Sequence, residues 1–282
     1  SEPQPMSPAV SLGQALVYGL VQGLTEFLPV SSSAHLRIVP ALLGWKDPGS
    51  AFTAVIQLGT MLAVLLFFWR ELLHISVAWL RGLVEKEVRG TLECRLGWYL
   101  ILATVPVAVL GLVFSHQIET RGRNLWLIAG ALIAMALVLL IAERAGTQRR
   151  DEERLNRKDA ITVGAAQALA LIPGVSRSGS TITGGLFRGL DRVTAARFSF
   201  LLSVPAVVLS GLYEARKIGG RDAPGMGVTV LATLVSFGVG FASIAWLLRY
   251  VSRHSTLVFV WYRIALGALL IGLLAGGVIS AG

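Results

Sequence analysis

Gln22-Gly-Leu-Thr-Glu-Phe-Leu-Pro-Val-Ser-Ser-Ser-Ala-His35 is polar where its surroundings are apolar. Gln22 and Glu26 are spaced i, i+4 and share one helix face. Pro29 ends or kinks that helix, because its ring clashes with the preceding turn and it has no N–H. Ser31, Ser32 and Ser33 suit the start of a second helix, whose first N–H groups lack intrahelical acceptors. His35 then falls one turn from Ser31 and Ser32. The stretch reads as helix, break, helix inside the apolar run 9–43. A second run, 159–190, is interrupted in the same manner. It carries Gln167-Ala-Leu-Ala-Leu-Ile-Pro173-Gly-Val-Ser176-Arg177-Ser178-Gly179-Ser180-Thr181. Broken helices of this kind are tolerated at membrane depth only where protein or a wet cavity covers them.

The rest of the 282-residue chain makes the membrane setting plain. Apolar residues make up 54% and charged residues 15%, against about 25% charged in an average soluble domain. Mean hydropathy is +0.69. These figures exclude a disordered chain, a disulfide scaffold and an ordinary soluble enzyme. Cys94 is the single cysteine, so it forms no internal disulfide and carries no metal signature. Six further runs, 51–69, 96–114, 124–142, 196–213, 227–248 and 256–280, are long and apolar. Each is about 18 residues or longer, enough to cross roughly 30 Å of hydrocarbon at ~1.5 Å per residue.

The net charge of +9 invites a nucleic-acid reading, but its placement argues against one. Six crossings put 70–95, 144–158 and 249–253 on one side. They carry thirteen Lys or Arg, against five on the other side (Arg121, Arg123, Arg216, Lys217 and Arg221). The positive-inside rule makes the richer side cytoplasmic and turns both termini outward. Arg149–Arg157 is interleaved with Asp151, Glu152 and Glu153, as in a solvated loop. Ser1–Ala9 has no basic region, so no cleavable signal peptide is expected.

The two broken segments resemble each other. In both, a Gln precedes a Pro and a serine cluster follows; Pro29 and Pro173 are 144 residues apart. Phe52–Gly59 corresponds to Phe198–Pro205 at an offset of 146. A single integral domain, 1–282, is expected, with one repeat over about 9–143 and a second over about 159–280. Each holds a broken hairpin and three spans. Three is odd, so the second copy enters from the opposite side, the inverted-repeat plan with its site near the midplane. The expected fold is thus an all-α polytopic membrane protein with six transmembrane helices and two broken re-entrant hairpins. Their tips, Ser31–His35 and Ser176–Thr181, should face one another.

Polar residues inside apolar segments are costly and therefore candidates for function. Glu26, the hydroxyls of Ser31, Ser32 and Ser33, and the His35 imidazole supply a nucleophile and a general acid or base. Small residues, hydroxyls and helix-start N–H groups in the second tip suit an anion, and Arg177 adds a fork matched to phosphate. Arg177 paired with Glu26 is expected at rest. An oxyanion-binding half and a nucleophile half within a membrane point to phosphoryl transfer on a lipid phosphate. A transporter or flippase of a polyprenyl phosphate carrier is the alternative, since broken helices in inverted repeats are also the transporter plan. Phosphate release in detergent separates the two. His74, His116 and His254 read as interfacial. Arg188, Arg192 and Arg197 suit anchors for the second tip or contacts to lipid phosphates. Arg263 falls inside the last span and needs a buried partner or a route to the interface.

Gln22–His35 and Pro173–Thr181 resemble the two signature motifs of the bacitracin-resistance type undecaprenyl-diphosphate phosphatases. Length, helix count and Phe52–Gly59 fit as well, so the resemblance covers nearly the whole chain. It implies hydrolysis of undecaprenyl diphosphate to the monophosphate and inorganic phosphate, which recycles the cell-wall carrier lipid and confers bacitracin tolerance. It places the catalytic roles on Glu26, Ser32, His35 and Arg177, and phosphate contacts on Ser31, Ser176, Ser178 and Thr181. Gln22 and Ser33 join the substrate-binding group. A divalent cation, Mg²⁺ or Ca²⁺, is implied, with Glu26 as its protein ligand. The site would open to the outer face of the bacterial inner membrane. The expected partners are the polyprenyl diphosphate and membrane lipid, with no nucleic acid; a homodimer is compatible. Two positions depart from the family pattern. Gln22 stands where many members have a second glutamate, and Ala34 replaces the usual Gly, so an ordinary helical conformation is expected there.

Overall fold

Ser11 opens the first helix with a reciprocal cap. Its hydroxyl accepts from the Gln14 N–H at 3.2 Å, and its own N–H donates to the Gln14 side chain at 2.9 Å. The helix runs over Leu12–Phe27 (α1) and stops just before Pro29, where a further turn would meet the ring. Ser31 caps the next helix, Ser32–Leu43 (α2), which closes on Gly44 at φ 65°, a left-handed end that glycine adopts without strain.

The computed structural model describes residues 10–114, 124–215 and 226–281. Beyond α1 and α2 these form Gly49–Phe67 (α3), Trp69–Val84 (α4), Leu92–Val113 (α5) and Leu125–Ala145 (α6). Arg157–Leu169 (α7), Arg177–Phe187 (α8), Arg192–Ala215 (α9), Met226–Val251 (α10) and Leu257–Ala275 (α11) follow. Among the described residues there is no strand beyond one bridge between Arg150 and Leu190. Helices α5, α6, α10, α11 and Arg192–Leu209 of α9 are long and apolar enough to cross a membrane. A sixth crossing results if the bent pair α3–α4 counts as one span. The chain is a multi-pass membrane protein. Its expected outward loops, with His116, Arg121, Arg123, Arg216, Lys217 and Arg221, lie outside the described residues, as do Ser1–Ala9.

The expected loop over 70–95 needs correction. It begins with α4, bent by 74° from the apolar part of α3. Leu73, Val77, Leu80 and Val84 follow helical spacing and are exposed together. Arg70, Glu71, His74 and Arg81 punctuate the run, so hydropathy alone hides the helix.

Packing puts the two broken pairs at the centre. Helix α1 lies along α10, and α7 along α5; α8 rests on α6, α7 and α9. Gly19 and Gly23, one turn apart, let α1 approach α10 closely. A Cβ at Gly23 would fall 2.7 Å from the Val239 Cβ and 2.9 Å from the Gly240 N. Small residues four apart are how membrane helices gain contact when lipid supplies no hydrophobic drive. This contact carries the arm that bears Gln22 and Glu26.

One end of the bundle is laced by ion pairs. Buried Asp159 takes both Arg150 (2.6 Å) and Arg188 (2.8 Å). Burial pushes its carboxyl up, but hydrogen bonds from Arg150, Arg188 and the Asn156 N–H outweigh this and hold it below the ordinary range. Arg192 pairs with Glu143, and Arg197 with Glu71 at 2.6 Å. The three arginines after the second tip are therefore anchors bound to carboxylates.

Gly23→Ile should wedge α1 from α10 and destabilise the protein by about 1–3 kcal/mol, the usual cost of overpacking. A lower melting temperature in detergent, with activity falling in parallel, is the expected result; an unchanged melting temperature would refute the close-contact account.

Candidate active site

Glu26 lies in the last turn of α1 and is buried beside the break. Three donors converge on its carboxylate. Gln22 donates its amide N–H at 3.0 Å and the Ser32 hydroxyl donates at 2.7 Å, both to Oε2. Arg177 donates from Nη2 to Oε1. Ser32 is the first residue of α2 and Arg177 the first of α8. Two helix starts, 145 residues apart, thus point at one carboxylate from a third helix.

Both starts use the same local geometry. Ser31 has φ 76° and Ser176 has φ 77°, values uncommon outside glycine and costly by roughly 1–3 kcal/mol. Each serine caps its helix, accepting from Ala34 N at 3.3 Å and from Gly179 N at 3.0 Å. Each hydroxyl also meets the serine two residues on, Ser33 or Ser178, at 3.2 Å. The first-turn N–H groups of α2 and α8 are positioned for an anion. Ser33 is exposed and Arg177 partly so, which leaves the tip region open to a ligand.

Other bonds stitch the tips together. Ser178 donates its hydroxyl to the Leu28 carbonyl at 2.9 Å. Arg263, wholly buried, donates to the carbonyls of Pro29 (3.0 Å), Gly174 (2.7 Å), Val175 (3.0 Å) and Leu132 (3.1 Å). Its partners are backbone carbonyls, which hydropathy and motif reading do not register. Thr181 is buried, with its hydroxyl on the Arg177 carbonyl (2.7 Å) and the Ser199 hydroxyl (2.6 Å). It braces Arg177 from within. Ala34 is helical, as expected.

Sequence reasoning missed Thr60, Ser199 and Tyr262. Thr60 accepts from the Gln22 amide at 3.1 Å, and the Tyr262 hydroxyl meets His35 Nε2 at 2.6 Å. Tyr262 lies in an apolar helix with no motif around it, whereas Ser199 falls inside Phe198–Pro205 and Thr60 directly follows Phe52–Gly59, stretches whose polar members hydropathy does not single out. His74 and His254 are exposed, and His254 Nδ1 meets the Tyr250 carbonyl at 3.1 Å. Among the described residues no three His, Cys, Asp or Glu cluster as a metal cage.

These features define a polytopic helical membrane protein with a buried carboxylate–hydroxyl–guanidinium centre at two helix N-termini. The family model for "Bacitracin resistance protein BacA" matches residues 15–269, and the chain belongs to that family. It is 54% identical to a protein of Nocardioides sp. strain JS614 named undecaprenyl-diphosphatase, over 95% of this chain and 98% of that one. A Thermobifida fusca protein of the same name is 49% identical, over 96% and 93% respectively. One from Myxococcus xanthus is 51% identical, over 96% and 92%.

Arg263→Leu should strip several buried carbonyls of their donor, each loss costing about 1–3 kcal/mol. The expected result is a sharp fall in folded, monodisperse protein in detergent. A variant as stable as the parent would show that the tips hold together without it.

Proposed function

We propose that this chain hydrolyses undecaprenyl diphosphate to undecaprenyl phosphate and inorganic phosphate, recycling the cell-wall carrier lipid and conferring bacitracin tolerance. The observation that carries this reading is the convergence of the Ser32 hydroxyl and the Arg177 guanidinium on Glu26. At rest the carboxylate holds both. An entering diphosphate competes for Arg177, whose planar fork matches phosphate oxygens. Released from that ion pair, Glu26 keeps the hydrogen bond from the Ser32 hydroxyl and lies in place to take its proton.

Ser32 Oγ then attacks the terminal phosphorus, its proton passes to Glu26 Oε2, and the anhydride bond breaks to release undecaprenyl phosphate. Water next attacks the phosphoserine phosphorus; the Oγ–P bond breaks, Ser32 Oγ takes back the proton held on Glu26 Oε2, and inorganic phosphate leaves carrying the water's oxygen and its protons. First-turn N–H groups of α2 and α8, with Arg177, face the charge that develops on the phosphoryl oxygens. Ser31, Ser33, Ser176 and Ser178 line that region, and Gln22 holds Glu26 in place while Thr181 holds Arg177.

A divalent cation, Mg²⁺ or Ca²⁺, fits as a ligand set completed by substrate: Glu26, substrate phosphate oxygens and water. Hard cations take such oxygens, and Mg²⁺ commonly uses one or two carboxylates. When bound it neutralises diphosphate charge. Gln22, an amide donor in place of a second carboxylate, suits a single-carboxylate shell.

The six-span, inverted-repeat architecture belongs to the same reading. Ser31 and Ser176 share their backbone geometry, and the offset of 145 pairs Ser32 with Arg177. The α1–α10 packing has its counterpart in α7–α5. The arginine-rich end, with Asp159, Glu143 and Glu71, would face the cytoplasm of a bacterial inner membrane. Both termini and the site would then face outward.

Purified protein should release phosphate from undecaprenyl diphosphate in detergent and lose that activity with chelator. Arg177→Ala should reduce turnover by at least about a hundredfold, the scale seen when a transition-state donor is removed, while keeping its melting temperature. Rapid acid quenching should trap phosphate on Ser32. Near-normal turnover in Arg177→Ala, or absence of hydrolysis by the parent, would sink the assignment.

A further inference from the structure

His35 is placed by motif at the heart of the site, yet both its ring nitrogens are engaged elsewhere. Nδ1 lies 2.7 Å from the Ser31 carbonyl. A carbonyl only accepts, so Nδ1 carries the proton and donates. Nε2 of the neutral ring is then an acceptor, and the Tyr262 hydroxyl, at 2.6 Å, donates to it. The two rings also stack, with centroids 5.6 Å apart and planes within 5°. His35 is buried, whereas Tyr262 is 46% exposed on α11. Ser32 meanwhile gives its proton to Glu26, not to the imidazole.

The Ser31 carbonyl accepts a second bond, from the His35 backbone N–H at 3.2 Å. Ser31 is the residue with φ 76° that opens α2. The equivalent position in the second tip is Ser180, whose hydroxyl returns to the Arg177 carbonyl at 3.0 Å. Only the first tip, which carries the nucleophile, has an imidazole on its cap residue, and among the described residues only that imidazole is backed by a tyrosine from another helix.

We propose that Tyr262 is a positioning residue for the phosphatase reaction. Its hydroxyl holds His35 in the Nδ1–H tautomer, and His35 in turn pins the Ser31 turn that aims Ser32 and the first N–H groups of α2. His35 on this account is a brace and does not attack phosphorus. The inference rests on the reading that Ser32, Glu26 and Arg177 form the reacting centre. It goes beyond that reading by assigning a task to Tyr262 and removing one from His35. Tyr262→Phe keeps the ring and its stacking and removes one hydroxyl. It leaves a buried Nε2 without a donor, so the imidazole is no longer held from both sides. Misplacement of a reacting group by ~1 Å costs on the order of a hundredfold in rate, and partial loosening should cost less.

Full-length Tyr262→Phe in detergent should therefore show kcat lowered about tenfold with KM within about twofold and an unchanged melting temperature. In protein labelled with ¹⁵N-histidine, the His35 signals, identified by their loss in His35→Asn, should show a protonated Nδ1 and a hydrogen-bonded Nε2. In Tyr262→Phe the Nε2 signal alone should move toward a free lone pair. Parental kcat in Tyr262→Phe, an Nε2–H tautomer in the parent, or a phosphoryl adduct trapped on His35 would each overturn the proposal. Glu26→Gln and Arg177→Ala separate the two readings. If they stay active, the reacting centre itself is wrong; if they are dead while Tyr262→Phe is normal, only the role of Tyr262 fails.

Discussion

Arg263 is the constraint on which the centre of this protein depends. A helix broken at membrane depth leaves carbonyls that no water meets, and each is costly unless a donor reaches it. Two helix breaks lie side by side here, with their carbonyls buried in protein. One guanidinium, with five N–H donors in a planar fork, reaches the carbonyls of Pro29, Gly174, Val175 and Leu132. It satisfies the first break, the second break and α6 at once. A buried cation would ordinarily be expensive. The carbonyl dipoles around it offset that cost, and the charge gives both tips a common point of attachment.

With the tips held, the two helix starts converge on Glu26. Ser31 and Ser176 adopt the same left-handed conformation, and each swings the next residue toward the shared centre. After Ser31 that residue is Ser32, and after Ser176 it is Arg177. The same backbone turn, used twice, thereby delivers a hydroxyl and a guanidinium to one carboxylate. The division of labour comes from side-chain identity at equivalent positions. Glu26 has its counterpart at Leu171 in the second segment, so a single carboxylate serves both tips. Unlike side chains on two like turns suit a reaction in which one phosphoryl group meets a nucleophile on one side and neutralising charge on the other.

Much of this was legible in order of residues. The breaks at Pro29 and Pro173, the Ser31 cap and the Glu26–Arg177 pair follow from local rules that act within a few residues, or from opposite charges stranded in apolar sequence. The helix α4 was not legible, because its charged residues interrupt a hydropathy window even though its apolar stripe is intact. Thr60, Ser199 and Tyr262 were not legible either. Each is an ordinary polar residue in an apolar helix, and its importance lies in a neighbour 18 to 227 residues away.

The sequence by itself determined that the chain lives in a membrane, where its helices break and which polar residues cluster. Those are matters of transfer free energy and of backbone chemistry that each segment settles alone. Beyond the Glu26–Arg177 pair, only the tertiary structure decided which donors meet which acceptors. It turned Arg263 from an unexplained charge into the clamp on both breaks, and of the two roles open to Arg188, Arg192 and Arg197, anchors or lipid contacts, it selected ion-paired anchors. It also gave both nitrogens of His35 partners other than Ser32. The physical reason is that hydrogen bonds are short and directional, so their pairing depends on helix packing that no single segment encodes.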